Sequence, residues 1–152
     1  MRDSVTVHFS ASPAKVWELV SDVTRIGEFS PETFEAKWAD GATGPAAGAR
    51  FRGHVKRNGR GPIYWTNCRV RECVPGEVFS FDVIGPGNKV LNTWGYQLAA
   101  AGGGTDVTES FALDNNVGSK LYWALAGWAR GKTNREGMTR TLEAMKVIVE
   151  AG

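Results

Sequence analysis

The polar and apolar positions of the chain follow two different periods. Val5, Val7 and Phe9 alternate with Thr6 and His8, the period-two pattern of a half-buried strand. Ser12-Pro13 supplies an N-cap and a first-turn proline, and the short helix that follows carries Val16, Leu19 and Val20 on one face. Asp22 caps a second short helix reaching Gly27, which Pro31 keeps from continuing. Phe34 to Trp38 reads as a strand and Asp40 to Gly48 as a loop. Five further strands follow closely: Arg50 to Lys56, Ile63 to Val74, Val78 to Ile84, Val90 to Ala99 and Thr105 to Leu113. The separators, such as Pro75-Gly76 and Gly102-Gly103-Gly104, have turn chemistry, and loops this short join antiparallel neighbours. From about Ser119 the period becomes helical. Leu121, Leu125, Trp128, Gly131, Arg135, Met138, Leu142, Met145 and Val149 step by three and four, a stripe of about 30 residues. Such a helix is about 45 Å long.

These elements predict an α+β fold. A curved antiparallel sheet of six or seven strands must bury its apolar face, and the long C-terminal helix is the element large enough to cover it. With 152 residues and no linker or repeat, the chain is expected to be one domain over 1–152.

Composition narrows the function. Eighteen basic and sixteen acidic residues give a net charge of +2, which argues against a nucleic-acid partner held by charge. The longest apolar run, Leu121 to Ala129, is too short to span a bilayer, and the start of the chain has no apolar core of a signal peptide, so the expected compartment is the cytoplasm. Cys68 and Cys73 are five apart on one strand, which points them to opposite faces and prevents a bridge. His8 and His54 fall on solvent faces, with no carboxylate that the sequence places beside them. No metal-ligand spacing occurs, and no metal or cofactor is expected.

The element order and the segment VWELVSDVTRIGEFSPE (Val16 to Glu32) resemble the START-like (SRPBCC) superfamily, in its polyketide cyclase/dehydrase-type branch. Trp94-x-Tyr96, Gly104-Thr105 and the closing TLEAMKVIVE (Thr141 to Glu150) add to the resemblance, which covers nearly the whole chain. It implies the helix-grip fold, in which the sheet and the long helix enclose a cavity. Members of the superfamily include ligand carriers, hormone receptors, aromatic-polyketide cyclases and quinone-binding proteins. The site must therefore be argued from its own residues.

In a helix-grip fold, strand parity selects the side chains that face the cavity. Phe51, Thr66, Phe79, Phe81, Asn92, Trp94, Tyr96 and Phe111 face in from the strands. Leu125, Trp128 and Met138 face in from the helix. Gly53, Gly127 and Gly131 leave room between larger side chains. Mostly apolar walls with a few polar atoms are the composition of a ligand pocket. Glu109 shares the concave face with Val107 and Phe111, where a carboxylate needs a partner or a proton. Arg135, on the helical stripe of Met138, is its candidate partner and a candidate ligand contact. Glu109 and Tyr64 are the candidate catalytic residues. Phe29, Pro31 and Trp123 are candidates for the cavity mouth.

The favoured reading is a carrier or sensor that holds a small or medium hydrophobic ligand of lipid, quinone, polyketide or aromatic type. The alternatives are a cyclase/dehydratase acting on an aromatic polyketide-like substrate, and a protein-interaction domain whose cavity is filled. A basic cluster on the outer face of the third and fourth strands, including Arg52, Lys56, Arg69 and Arg71, suits transient contact with a membrane surface.

Overall fold

The structure, a computed structural model, describes residues 2–56, 63–113 and 135–151. Seven strands form one antiparallel sheet: β1 (Arg2–Phe9), β2 (Thr33–Ala39), β3 (Arg50–Val55), β4 (Tyr64–Val74), β5 (Val78–Ile84), β6 (Val90–Ala101) and β7 (Gly104–Leu113). Their spatial order is β1-β7-β6-β5-β4-β3-β2. The meander from β2 to β7 is thus extended by β1, which pairs with β7. Helix α1 (Pro13–Val20) and a 3₁₀ turn (Val23–Glu28) lie between β1 and β2, and helix α2 is described over residues 135–151. This is the helix-grip α+β architecture. The stretch before residue 135, with Leu125 and Trp128, lies outside the described residues.

Local chemistry fixes the short elements. The Ser12 side chain accepts from the Lys15 amide with Pro13 in the first turn, and Asp22 caps the 3₁₀ turn through the Thr24 amide. Val16, Leu19 and Val20 are buried as their spacing requires. One bulge undoes a parity argument. The β4–β5 register shifts between Val70 and Glu72, so that Cys73 faces Phe79 across the ladder while Val70 faces Phe81. The extra residue turns Cys73 to the same concave side as Cys68, rather than to the opposite face. Both cysteines are free.

Helix α2 is fastened to β1 at two places. Arg135 donates to Asp3 at 3.0 Å. Near the other end Lys146 donates to the His8 carbonyl at 2.6 Å, and Glu150 accepts from the Ser10 amide at 2.9 Å. Asp3 to Ser10 spans about 23 Å of strand, and 135 to 150 spans about 22 Å of helix. The two elements therefore run side by side in the same direction with matched lengths.

Among the described residues, the interior is packed at one end and holds a cavity at the other. Leu142, Met145 and Val149 of α2 join Phe9, Leu19, Phe79 and Val107 in the core. Gly137, Met138 and Thr141, one turn earlier, face a cavity instead.

The chain comes very close to itself at the start of β7. A Cβ on Gly104 would stand 2.2 Å from the Phe9 carbonyl oxygen, and backbone on backbone cannot give way. Gly104→Ala is expected to cost about 3 kcal/mol and to lower Tm by roughly 6–12 °C. A thermal melt within a degree of the native chain would contradict this packing.

Candidate functional site

The cavity measures about 180 Å³. Its walls are Phe51, Phe81, Trp94 and Phe111 from the sheet and Met138 from α2. Phe51 and Phe81 meet edge to face at 5.1 Å, and Trp94 and Phe111 lie 4.7 Å apart, so the aromatic walls are braced by each other. Gly137 leaves open space toward the lumen. Gly53 does not: its missing side chain is replaced by Thr66 and Thr33, 3.1 and 3.3 Å from where a Cβ would sit.

The polar content is small and localised. Tyr96 and Glu109 are cross-strand partners on β6 and β7, and the Tyr96 hydroxyl donates to Glu109 Oε1 at 3.1 Å. Glu109 is 3% exposed. Its Oε2 is buried without a hydrogen-bond partner among the described residues, as is Asn92 Oδ1. Asn92 lies four residues before Tyr96 on β6, about 13 Å along the strand. The cavity thus has an unsatisfied oxygen at each end and aromatic rings between. Thr66 is already satisfied by the Gly53 carbonyl at 3.2 Å.

Burial sets the protonation of the site. It pushes the Glu109 carboxyl up to about 8, against the opposing effect of the Tyr96 hydrogen bond. Glu109 is therefore mainly a neutral acid at pH 7. Burial, together with the neighbouring Glu109, pushes the Tyr96 phenol well above its usual range, so it remains a donor. Burial also pushes the Cys68 thiol up to about 12, which leaves no thiolate for nucleophilic attack at neutral pH. Among the described residues no group of three His, Cys, Asp or Glu side chains is placed to hold a metal ion.

The remaining candidates separate by position. Tyr64 lines the rim and is 37% exposed. Pro31 is also on the rim, whereas Phe29 is buried in the core. Phe79 does not line the cavity. It packs deeper, edge to face with Trp17 at 6.1 Å, because the interior at its depth is filled by α1 and α2. Arg135 does not meet Glu109. It is 67% exposed and bound to Asp3, where its charge stays hydrated. Residues Leu125, Trp128 and Trp123 lie outside the described residues. His8 and His54 have carboxylate partners after all, Asp106 at 2.8 Å and Glu35 at 2.7 Å, supplied by neighbouring strands. Ile26, Leu113 and Thr141 are among the lining residues that the sequence did not single out. For Thr141 the signal was present, one helical turn after Met138 on the same stripe.

A helix gripped by a curved sheet, with a largely aromatic cavity between them and a buried acid in its wall, defines a helix-grip domain. Residues 2–150 match the family described as polyketide cyclase / dehydrase and lipid transport, and the chain belongs to it. No curated protein matches in sequence. Among solved structures, the fold is similar to the Zhui aromatase/cyclase from Streptomyces sp. R1128. That comparison gives a TM-score of 0.76 at 14% identity and covers 99% of this chain and 93% of the other. A protein from Thermus thermophilus gives 0.73 at 14% identity over 99% and 98% of the two chains. One from Nitrosomonas europaea gives 0.72 at 12% identity over 99% and 95%. Among the described residues no helix is long and apolar enough to cross a membrane.

The raised acidity constant has a signed consequence for stability. In the unfolded chain Glu109 titrates near 4.5, and in the folded chain near 8. Between these values the folded state holds the extra proton, so stability falls as pH rises through the window and levels off above it. The loss is on the order of 5 kcal/mol. Glu109→Gln keeps an acceptor for Tyr96 and removes the titration. It is expected to flatten the fall in Tm between pH 5 and 9. An unchanged slope in a thermal-shift series would refute the neutral-acid assignment.

Proposed function

We propose that the protein binds an uncharged hydrophobic ligand carrying an oxygen function, with its ring or chain between the aromatic walls. The observation that carries this reading is the Glu109 carboxyl, buried in the cavity wall with no hydrogen-bond partner for Oε2 among the described residues. The Tyr96 hydroxyl holds Oε1, which leaves the carboxyl proton on Oε2, aimed at a ligand acceptor such as a carbonyl. Asn92 at the far end supports a second polar contact. An anionic ligand head at Glu109 is disfavoured, because ionisation of either partner in this setting is costly. The volume suits a compact ligand: a cavity of about 150 Å³ already accepts one benzene ring.

A specific observation also supports the cyclase/dehydratase reading. An acid with a pKa of about 8 is poised to give and regain a proton near neutral pH. In that case Glu109 is the general acid and Tyr96 its positioning partner, while Tyr64 at the rim contacts substrate. The two readings differ in turnover. A carrier returns its ligand unchanged. A cyclase loses turnover in Glu109→Gln while affinity stays within a few-fold.

Native mass spectrometry of gently purified protein, set against its denatured mass, tests the shared premise. Extra mass that leaves on denaturation is expected. Gly137→Leu places a side chain in the open space beside α2. It should weaken binding of the neutral probe N-phenyl-1-naphthylamine by at least about tenfold while Tm is kept or raised, since leucine favours helix over glycine by roughly 0.8 kcal/mol. Equal probe affinity in the native and Gly137→Leu proteins would mean that this cavity is not the binding site.

A further inference from the structure

Exposed apolar side chains concentrate at one end of the sheet. Phe34, Ile63, Tyr64 and Trp65 are 45%, 54%, 37% and 42% exposed. The register places them together: Tyr64 opposite Val55, Trp65 opposite His54, and His54 opposite Glu35. The group is held in place by stacking. His54 lies flat on Trp65 at 4.1 Å and 11°, Phe34 is 4.4 Å from His54, and the Lys37 ammonium sits 4.9 Å from the Trp65 ring. Glu35 binds the His54 imidazole.

We propose that the patch formed by Phe34 at the start of β2, Lys56 after β3, and Ile63, Tyr64 and Trp65 at the start of β4 docks on an anionic lipid bilayer. Tryptophan and tyrosine beside lysine and arginine are the side chains that favour the membrane–water interface. Lys37, Arg52 and Lys56 are exposed around the patch, and long cationic side chains lay their stems on apolar surface with the charge toward lipid phosphates. Two carboxylates, Glu32 and Glu35, share the area, so the apolar contact leads and charge adds a moderate preference. The arginines nearer the sheet centre do not contribute, because Arg69 and Arg71 both turn to the buried Asp82. The orientation is also meaningful. Tyr64 lines the cavity and is exposed in the patch, and Pro31, Glu32 and Thr33 line the cavity directly before Phe34. Docking therefore sets the cavity mouth against the bilayer, where apolar molecules are concentrated. The docking itself does not depend on what the cavity holds.

The test is co-sedimentation of the full chain with vesicles of phosphatidylcholine alone and with added phosphatidylglycerol. Stronger binding to the phosphatidylglycerol vesicles is expected, weakened by salt. Ile63→Asp should reduce partitioning about tenfold, as expected for the loss of one buried isoleucine. Lys56→Glu should reduce it by about fivefold per unit of charge removed. Val147→Asp alters the most exposed apolar side chain of α2, away from the patch, and should leave binding unchanged. Circular dichroism of each variant separates lost docking from lost folding. No association with either vesicle would overturn the proposal, including the case in which an acidic protein proves to occupy the patch. Equal partitioning of the native, Ile63→Asp and Lys56→Glu proteins would also overturn it.

Discussion

The seam between β1 and α2 is the constraint on which the rest of the fold depends. A strand at the edge of the sheet is pinned to a helix that crosses the concave face, by Arg135–Asp3 at one end and by Lys146, Glu150 and their backbone partners at the other. Exposed ion pairs of this kind contribute little individually. Their importance is geometric. The matched lengths of strand and helix leave a single register in which all the contacts form at once, and that register decides which face of α2 looks inward. The energy comes from Leu142, Met145 and Val149, which the seam presents to Phe9, Phe79 and Val107.

The cavity follows from the same arrangement. Where α2 offers Leu142 and Met145, α1 also reaches the sheet and the interior fills. Where it offers Gly137 and Thr141, no large side chain among the described residues fills the space beside Trp94 and Phe111, and a cavity remains. Glu109 lies at the boundary between the two regions. Its cross-strand partner Tyr96 is fixed by the β6–β7 ladder, so the hydrogen bond to Oε1 is a consequence of register. The other oxygen is buried in the cavity wall without a hydrogen-bond partner among the described residues. Position and protonation are thus set together, since the apolar walls that shape the cavity are the ones that withdraw Glu109 from water.

Much of this was readable in the chain. Strand limits agree with the sequence expectation within two or three residues at most ends, because glycine, proline and asparagine mark the turns. Parity placed Phe51, Thr66, Phe81, Asn92, Trp94, Tyr96 and Phe111 on the concave side, and they line the cavity. The failures have physical causes. A bulge at Val70 and Glu72 reversed the parity of Cys73, and no residue type there announces it. Phe79 has the right parity and the wrong depth, which depends on where α1 lands. Arg135 has the right helical phase, yet its partner Asp3 is 132 positions away in the chain, and a guanidinium gains more at the wet seam than in an apolar lumen.

Retaining Glu109 carries a cost that the fold could avoid. A neutral side chain of the same size would fill its place without an unsatisfied oxygen, and stability would no longer fall between pH 4.5 and 8. The surrounding packing does not require an acid, because Tyr96 needs only an acceptor. What the acid supplies is a carboxyl group in the cavity wall that can lose its proton near pH 8. A group that weakens the empty fold and is completed by a hydrogen-bonded guest couples occupancy to stability, since binding to the native state alone raises its stability by mass action. Under the proposed function, the ligand's oxygen is the partner that the sheet withholds from Glu109. Selection among apolar guests of equal size then rests on whether they carry that oxygen, because buried polar groups discriminate more sharply than apolar walls do.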